Sequence, residues 1–212
     1  MPKMGTSRPQ DFVAGNHFDK YGSRNRLHRA LVGGFVRSAC ELVRLAAPAS
    51  VLEVGCGGGE LAACLFGREE ERRPIAYVGV DISPAQVEAA RARLPGQTAL
   101  TASAYNLPFP DGSFDLVMLC EVLEHLDRPP RALDEAVRVS RAGVLVSVPW
   151  EPVWRILNLS RGKYWPRLGN TPGHVQHFSR HQIRSLVESR LTPAAERRPF
   201  PWSMILGRRR PT

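Results

Sequence analysis

The run Val51-Leu-Glu-Val-Gly-Cys-Gly-Gly-Gly-Glu-Leu61 has the residue types and spacing best suited to binding chemistry. An apolar β-type stretch, VLEV, feeds a glycine-rich turn, and the helix-type pattern ELAACLF follows. Strand, turn and helix in that order bring backbone N–H groups against a nucleotide-like ligand at a helix N-terminus. Glycine spacing narrows the ligand. A dinucleotide fingerprint needs a third glycine where this chain has Glu60, so a dehydrogenase reading is disfavoured. The glycines fall instead at Gly55, Gly57 and Gly59, with Cys56 inside the turn and Glu53 before it, giving E-x-G-x-G-x-G. Asp81 follows a second strand-type run. A carboxylate there is acceptor-only and can take both hydroxyl donors of a ribose. Glu121 and His125 lie four residues apart after a fourth strand-type run, and His174 and His177 lie three apart further on.

Four segments in this order resemble the class I S-adenosylmethionine (SAM) dependent methyltransferases. The glycine turn is similar to the family's first motif, and Tyr77-Val-Gly-Val-Asp-Ile-Ser83 to its second. Leu107-Pro-Phe-Pro-Asp-Gly-Ser-Phe-Asp115 resembles the segment leading into the fourth strand. Asp115-Leu-Val-Met-Leu-Cys-Glu-Val-Leu-Glu-His-Leu126 resembles that strand and the turn after it. The resemblance covers roughly residues 50–148, where four ordered motifs carry more weight than one glycine turn. It implies SAM as cofactor and S-adenosylhomocysteine as product. It places Glu53 near the cofactor's amino group and Gly55, Cys56, Gly57 and Gly59 along its methionyl portion. It assigns Asp81 to the ribose, Ile82 to the adenine face and Glu121 to the edge of the cofactor cleft. Many relatives have Asp where this chain has Ser103; a serine hydroxyl accepts without charge assistance, leaving Ala104 backbone contacts beside it. Tyr21 either covers the sulfonium by cation–π contact or simply packs.

Methyl transfer is an in-line displacement that needs an oriented acceptor and, for a hydroxyl, a base. His174 and His177 stand just past an aromatic segment, so they either line the acceptor pocket, one as base, or fix a loop. No metal is expected of them, because two histidines at this spacing lack the carboxylates a hard cation needs. Neither an (Asn/Asp)-Pro-Pro-Tyr string nor a Pro-Cys pair occurs, which argues against methylation of nucleic-acid bases. The expected activity is methyl transfer to oxygen or nitrogen of a small-molecule acceptor. RNA or protein methylation is the alternative enzyme reading, and a non-catalytic SAM-binding scaffold is the alternative of another class.

Elements must position these residues. Strand-type runs at Ser50–Val54, Ile75–Val80, Thr98–Leu100, Phe114–Leu119 and Gly143–Val148 alternate with helical patterns at Glu60–Phe66, Pro84–Arg93, Val122–Leu126 and Pro130–Ser140. Leu27–Leu45 is a leading helix, and residues 1–17 form a polar arm. Arg180–Glu188 reads as a helix with Ser179 as N-cap, before β-type segments at Ala194–Arg198 and Trp202–Leu206. The fold expected is α/β: a Rossmann-like, doubly wound, seven-stranded, mostly parallel sheet with a C-terminal antiparallel hairpin and helices on both faces. All 212 residues read as one domain, in which 1–47 is an arm and helix and 149–178 an insertion or lid rich in Trp and Pro. The net charge of +9 comes almost wholly from arginine and lacks an aromatic-interleaved stripe, so a nucleic-acid partner is not expected. No apolar run spans a membrane and no secretory leader appears, which points to the cytoplasm. The cysteines Cys40, Cys56, Cys64 and Cys120 are read as reduced, buried thiols.

Overall fold

The computed structural model describes residues 25–66, 75–160, 168, 171 and 173–210. Tyr21, the arm at 1–17 and the charged loop at 67–74 lie outside them. Seven strands form one sheet in the order β3-β2-β1-β4-β5-β7-β6. They are β1 (Ser50–Val54), β2 (Ala76–Asp81), β3 (Thr98–Thr101), β4 (Phe114–Cys120), β5 (Ser140–Pro149), β6 (Leu191–Arg197) and β7 (Trp202–Arg209). Pairing is parallel from β3 through β5, and β7 runs antiparallel to both of its neighbours. The expected sheet and its terminal hairpin are both present.

Side-chain alternation divides the core in two. Leu52, Val54, Val117, Leu119, Val144 and Val146 point to one face, which α4 (Pro129–Val139) and α6 (Arg180–Glu188) cover. Val51, Leu116, Met118 and Leu145 point to the other, under α1 (Arg26–Ala46) and α2 (Glu60–Phe66). Strands buried on both sides read as unbroken apolar runs, which is why they were legible. The helix α3 (Pro84–Arg93) packs Val87 and Ala90 on Cys56 and Ala99.

Three elements differ from expectation. Val122–Leu126 is a single 3₁₀ turn, Leu123–His125, because Leu126 is extended, φ −98° and ψ 139°, and stops the helix there. The insertion contains a helix, α5 (Val153–Ser160), that its flanking prolines and tryptophans masked. β6 begins at Leu191 and carries Pro193 next to a register shift, a combination that an edge strand tolerates. Cys56 and Cys120 are buried as expected, whereas Cys64 is exposed. No helix among the described residues is long and apolar enough to cross a membrane.

Candidate active site

The glycine turn hangs on β2. The N–H groups of Gly55 and Cys56 both donate to the Val80 carbonyl, at 2.7 and 3.0 Å. A Cβ on Gly55, where φ is +72°, would sit 2.5 Å from Cγ2 of Val122, so only glycine fits between β1 and the turn after β4. At Gly57 (φ +53°) a Cβ would find its nearest atoms 3.8 Å away, so the backbone there is approachable. Asp81 ties this turn to its neighbour. Its carboxylate accepts the Gly57 N–H at 3.0 Å and the Ser83 N–H at 2.9 Å. Beside it Ile82 is 45% exposed. Ser103 spends one hydroxyl lone pair on the Tyr105 N–H at 3.2 Å, and Ala104 next to it is half-buried.

Glu53 is buried behind the turn, 3% exposed, and accepts the Tyr77 hydroxyl at 2.7 Å. Burial pushes its pKa up to about 7, against the lowering effect of the Tyr77 bond; the nearby charges of Glu60 and Asp81 add to the rise. Burial raises the Tyr77 hydroxyl and the Cys56 thiol as well, so both stay protonated at neutral pH. Glu121 stands at the carboxyl end of β4. Its side chain accepts the Trp202 indole N–H at 2.7 Å and the Ser147 hydroxyl at 3.3 Å. That pair of bonds ties the strand end to β5 and β7.

The insertion returns to the same edge of the sheet. The N–H groups of Val175 and Gln176 donate to the Glu124 carbonyl at 2.9 and 3.0 Å, and the Glu151 N–H donates to the Phe178 carbonyl at 3.1 Å. Thr171 Oγ1 accepts both the Trp154 indole N–H (2.9 Å) and the Asn158 amide (3.1 Å), which fixes α5 on the returning strand of chain. His174 is buried by this route. Its ring stands edge-on to His125 at 4.9 Å and stacks with Trp154 at 6.5 Å. His125 Nδ1 lies 3.0 Å from the Gly173 carbonyl. His177 is exposed on the loop. Partial desolvation of its ring, with the charge of Arg155, holds its pKa below the ordinary histidine value. His174 meets His125 and Glu124, whose ligating atoms all lie within 4.8 Å of one another. Trp202, bonded to Glu121, was read only as part of a strand. No sequence period links residue 174 to 125, or 202 to 121, so nothing local could have shown either contact.

Residues 52–148 match the family model described as "Methyltransferase domain". Over those residues the chain is similar to the class I SAM-dependent methyltransferases. An uncharacterized methyltransferase of Mycobacterium sp. (strain JLS) is 39% identical over 105 residues, covering 50% of this chain and 39% of that protein. The phthiotriol/phenolphthiotriol dimycocerosates methyltransferase of Mycobacterium leprae (strain TN) is 39% identical over 95 residues, covering 44% of this chain and 34% of that protein. The matched part of this chain thus spans well under half the length of these relatives. Its fold is that of magnesium protoporphyrin IX methyltransferase (ChlM) from Synechocystis PCC 6803 with bound SAH, at a TM-score of 0.65 and 18% identity over 89% of this chain and 90% of that one.

Proposed function

We propose that this methyltransferase domain moves a methyl group from SAM to an oxygen or nitrogen of a small-molecule acceptor, with residues 149–178 as the wall over the acceptor. The observation that carries this reading is the meeting of two structures at one sheet edge. The open glycine turn and Asp81 stand at the carboxyl ends of β1 and β2, and the aromatic insertion is bonded to the turn after β4. Ligands of open α/β sheets bind at that edge. The residues fit the donor: Gly57 leaves bare backbone, Ile82 offers an exposed apolar face and Asp81 is a half-exposed carboxylate. Glu53, Gly55, Cys56, Gly57 and Gly59 would hold the methionyl end, Asp81 the ribose, and Ile82, Ser103 and Ala104 the adenine, with Glu121 at the cleft's edge. When bound, SAM supplies a methyl carbon on a sulfonium, and that carbon–sulfur bond breaks as the bond to the acceptor forms. The chain's own work is to orient and deprotonate. His174, packed on Trp154, lines the acceptor pocket and fixes the acceptor's position. His177, whose pKa is held below the ordinary histidine value by partial desolvation of its ring, takes the acceptor's proton. Trp150 and Trp154 exclude water from the pocket. A relative named for methylating phthiotriol and phenolphthiotriol dimycocerosates supports a non-macromolecular acceptor.

The test is methyl transfer from SAM carrying tritium in the methyl group. Phenols, amines, sugars and lipid-like alcohols are offered beside RNA and a basic protein. Label is expected in a small molecule, and His177→Ala should lower kcat by roughly 10²–10⁴-fold, the usual contribution of a positioned base. Label in RNA or protein alone would overturn the reading, as would tight SAM binding with no transfer to any acceptor.

A further inference from the structure

We propose that Glu124, His125 and His174 bind one divalent transition-metal cation at the carboxyl end of β4. One carboxylate and two imidazoles present their ligating atoms within 4.8 Å of one another. Bonds of about 2.0–2.2 Å would hold such atoms about 3–3.5 Å apart. Small side-chain rotations close that difference. The frame beneath them is already set. Glu124 and His125 belong to the 3₁₀ turn, where the His125 N–H donates to the Val122 carbonyl at 3.0 Å. His174 arrives from a segment about fifty positions later, and the bonds from Val175 and Gln176 to the Glu124 carbonyl lock the two segments together.

Three further features suit a cation. Glu124 is 2% exposed and His174 9%, so a cation held between them would be shielded from water and strongly held. His125 Nδ1 faces the Gly173 carbonyl at 3.0 Å. A carbonyl only accepts, so Nδ1 carries the proton and Nε2 keeps the lone pair. That backbone partner is the one metal-binding histidines commonly use to fix ring and tautomer. Lastly, the donor set is mixed. Two imidazoles and one carboxylate suit Zn²⁺, Fe²⁺, Co²⁺ or Mn²⁺, whereas Mg²⁺ and Ca²⁺ favour oxygen. Three protein ligands leave coordination open, as in catalytic sites. Resting on the methyl-transfer reading, the open position would take an acceptor oxygen and lower its pKa, which narrows the acceptor class to hydroxyl compounds.

The experiment titrates the metal-stripped protein with Co²⁺ alone, read by calorimetry and by visible ligand-field absorption. Uptake of one Co²⁺ per chain, with visible bands, is expected. Glu124→Gln and His174→Gln should each weaken it by more than the roughly 10–100-fold that losing an outer-shell partner costs. His181→Ala, on the exposed surface of α6, should leave it unchanged. SAM binding and far-UV circular dichroism, measured on every variant, show that any loss is local. A wild-type protein with no saturable uptake overturns the site, and so does full affinity in the Glu124→Gln/His174→Gln double variant. Co²⁺ uptake without SAM binding would sink the methyl-transfer reading and leave the metal site standing; SAM binding without Co²⁺ uptake does the reverse.

Discussion

Glu53 places a carboxyl group inside the sheet, between the glycine turn and the Tyr77 hydroxyl. Its position makes it a pH-dependent element of stability. In the unfolded chain it loses its proton near 4.5; in the folded protein it keeps it up to about 7, because burial penalises the anion. The folded state therefore binds the extra proton between those values. Its stabilising effect is complete below 4.5 and is lost as pH rises through 7, a change of about 3 kcal/mol. Glu53→Gln keeps a group that accepts from Tyr77 but does not ionise. The variant should match the wild type near pH 4.5 and become more stable than it as pH rises, reaching a constant advantage above 7. Urea unfolding at a series of pH values measures this, and parallel profiles for the two proteins would refute it. If the same carboxyl faces the cofactor's ammonium, SAM affinity should rise through pH 7 in the wild type and stay flat in the variant.

Helix ends show what local chemistry decides and what it leaves to tertiary packing. Ser179 was legible as a cap, and it forms a full capping box with Gln182 before α6. Ala47 was not. It closes α1 in the left-handed region, φ 48° and ψ 47°, and donates its N–H to the Val43 and Arg44 carbonyls at 3.0 and 3.2 Å. An alanine pays about 1–2 kcal/mol of strain there, whereas glycine loses about 0.4–1 kcal/mol more through unfolded-chain entropy. Ala47→Gly should thus raise stability by about 0.5–1 kcal/mol, and the melting temperature by about 1–4 °C. A lowered melting temperature would show that α1 ends differently in solution. The same contrast governs what the sequence disclosed. β1 to β5 and α2, α3 and α6 follow from apolar period and turn residues, and the glycine turn and Asp81 follow from motif spacing. The helix α5 was hidden because prolines and tryptophans around it signal irregular chain. The contact of His174 with His125 and Glu124 was hidden for a different reason: it depends on where the insertion re-enters the sheet edge, and no local period encodes that.

At the scale of the molecule, the sheet edge works as one unit only if the turn, β2 and the insertion hold together. Asp81 is the joint between the first two. It accepts one N–H from the glycine turn and one from the start of α3, so it positions backbone before any ligand arrives. A ligand bound there should stabilise the whole fold, because binding only to the native state adds to the free energy of unfolding. At SAM one hundred times above its dissociation constant the gain is about 2.7 kcal/mol. For a chain of this length that raises the melting temperature by about 5–10 °C. Asp81→Asn tests the joint directly. Asparagine offers a single acceptor oxygen and presents an amide N–H₂ to the other N–H donor. The unliganded variant should therefore lose about 1–3 kcal/mol, the cost of stranding a partly buried donor. Its SAM-dependent shift at the same concentration should shrink to near zero, since the ribose acceptor is gone as well. Thermal melts with and without SAM, on both proteins, separate the two effects. An unliganded loss with the full SAM shift retained would leave Asp81 a structural joint and remove it from the cofactor site. No SAM shift in the wild type would remove the cofactor itself.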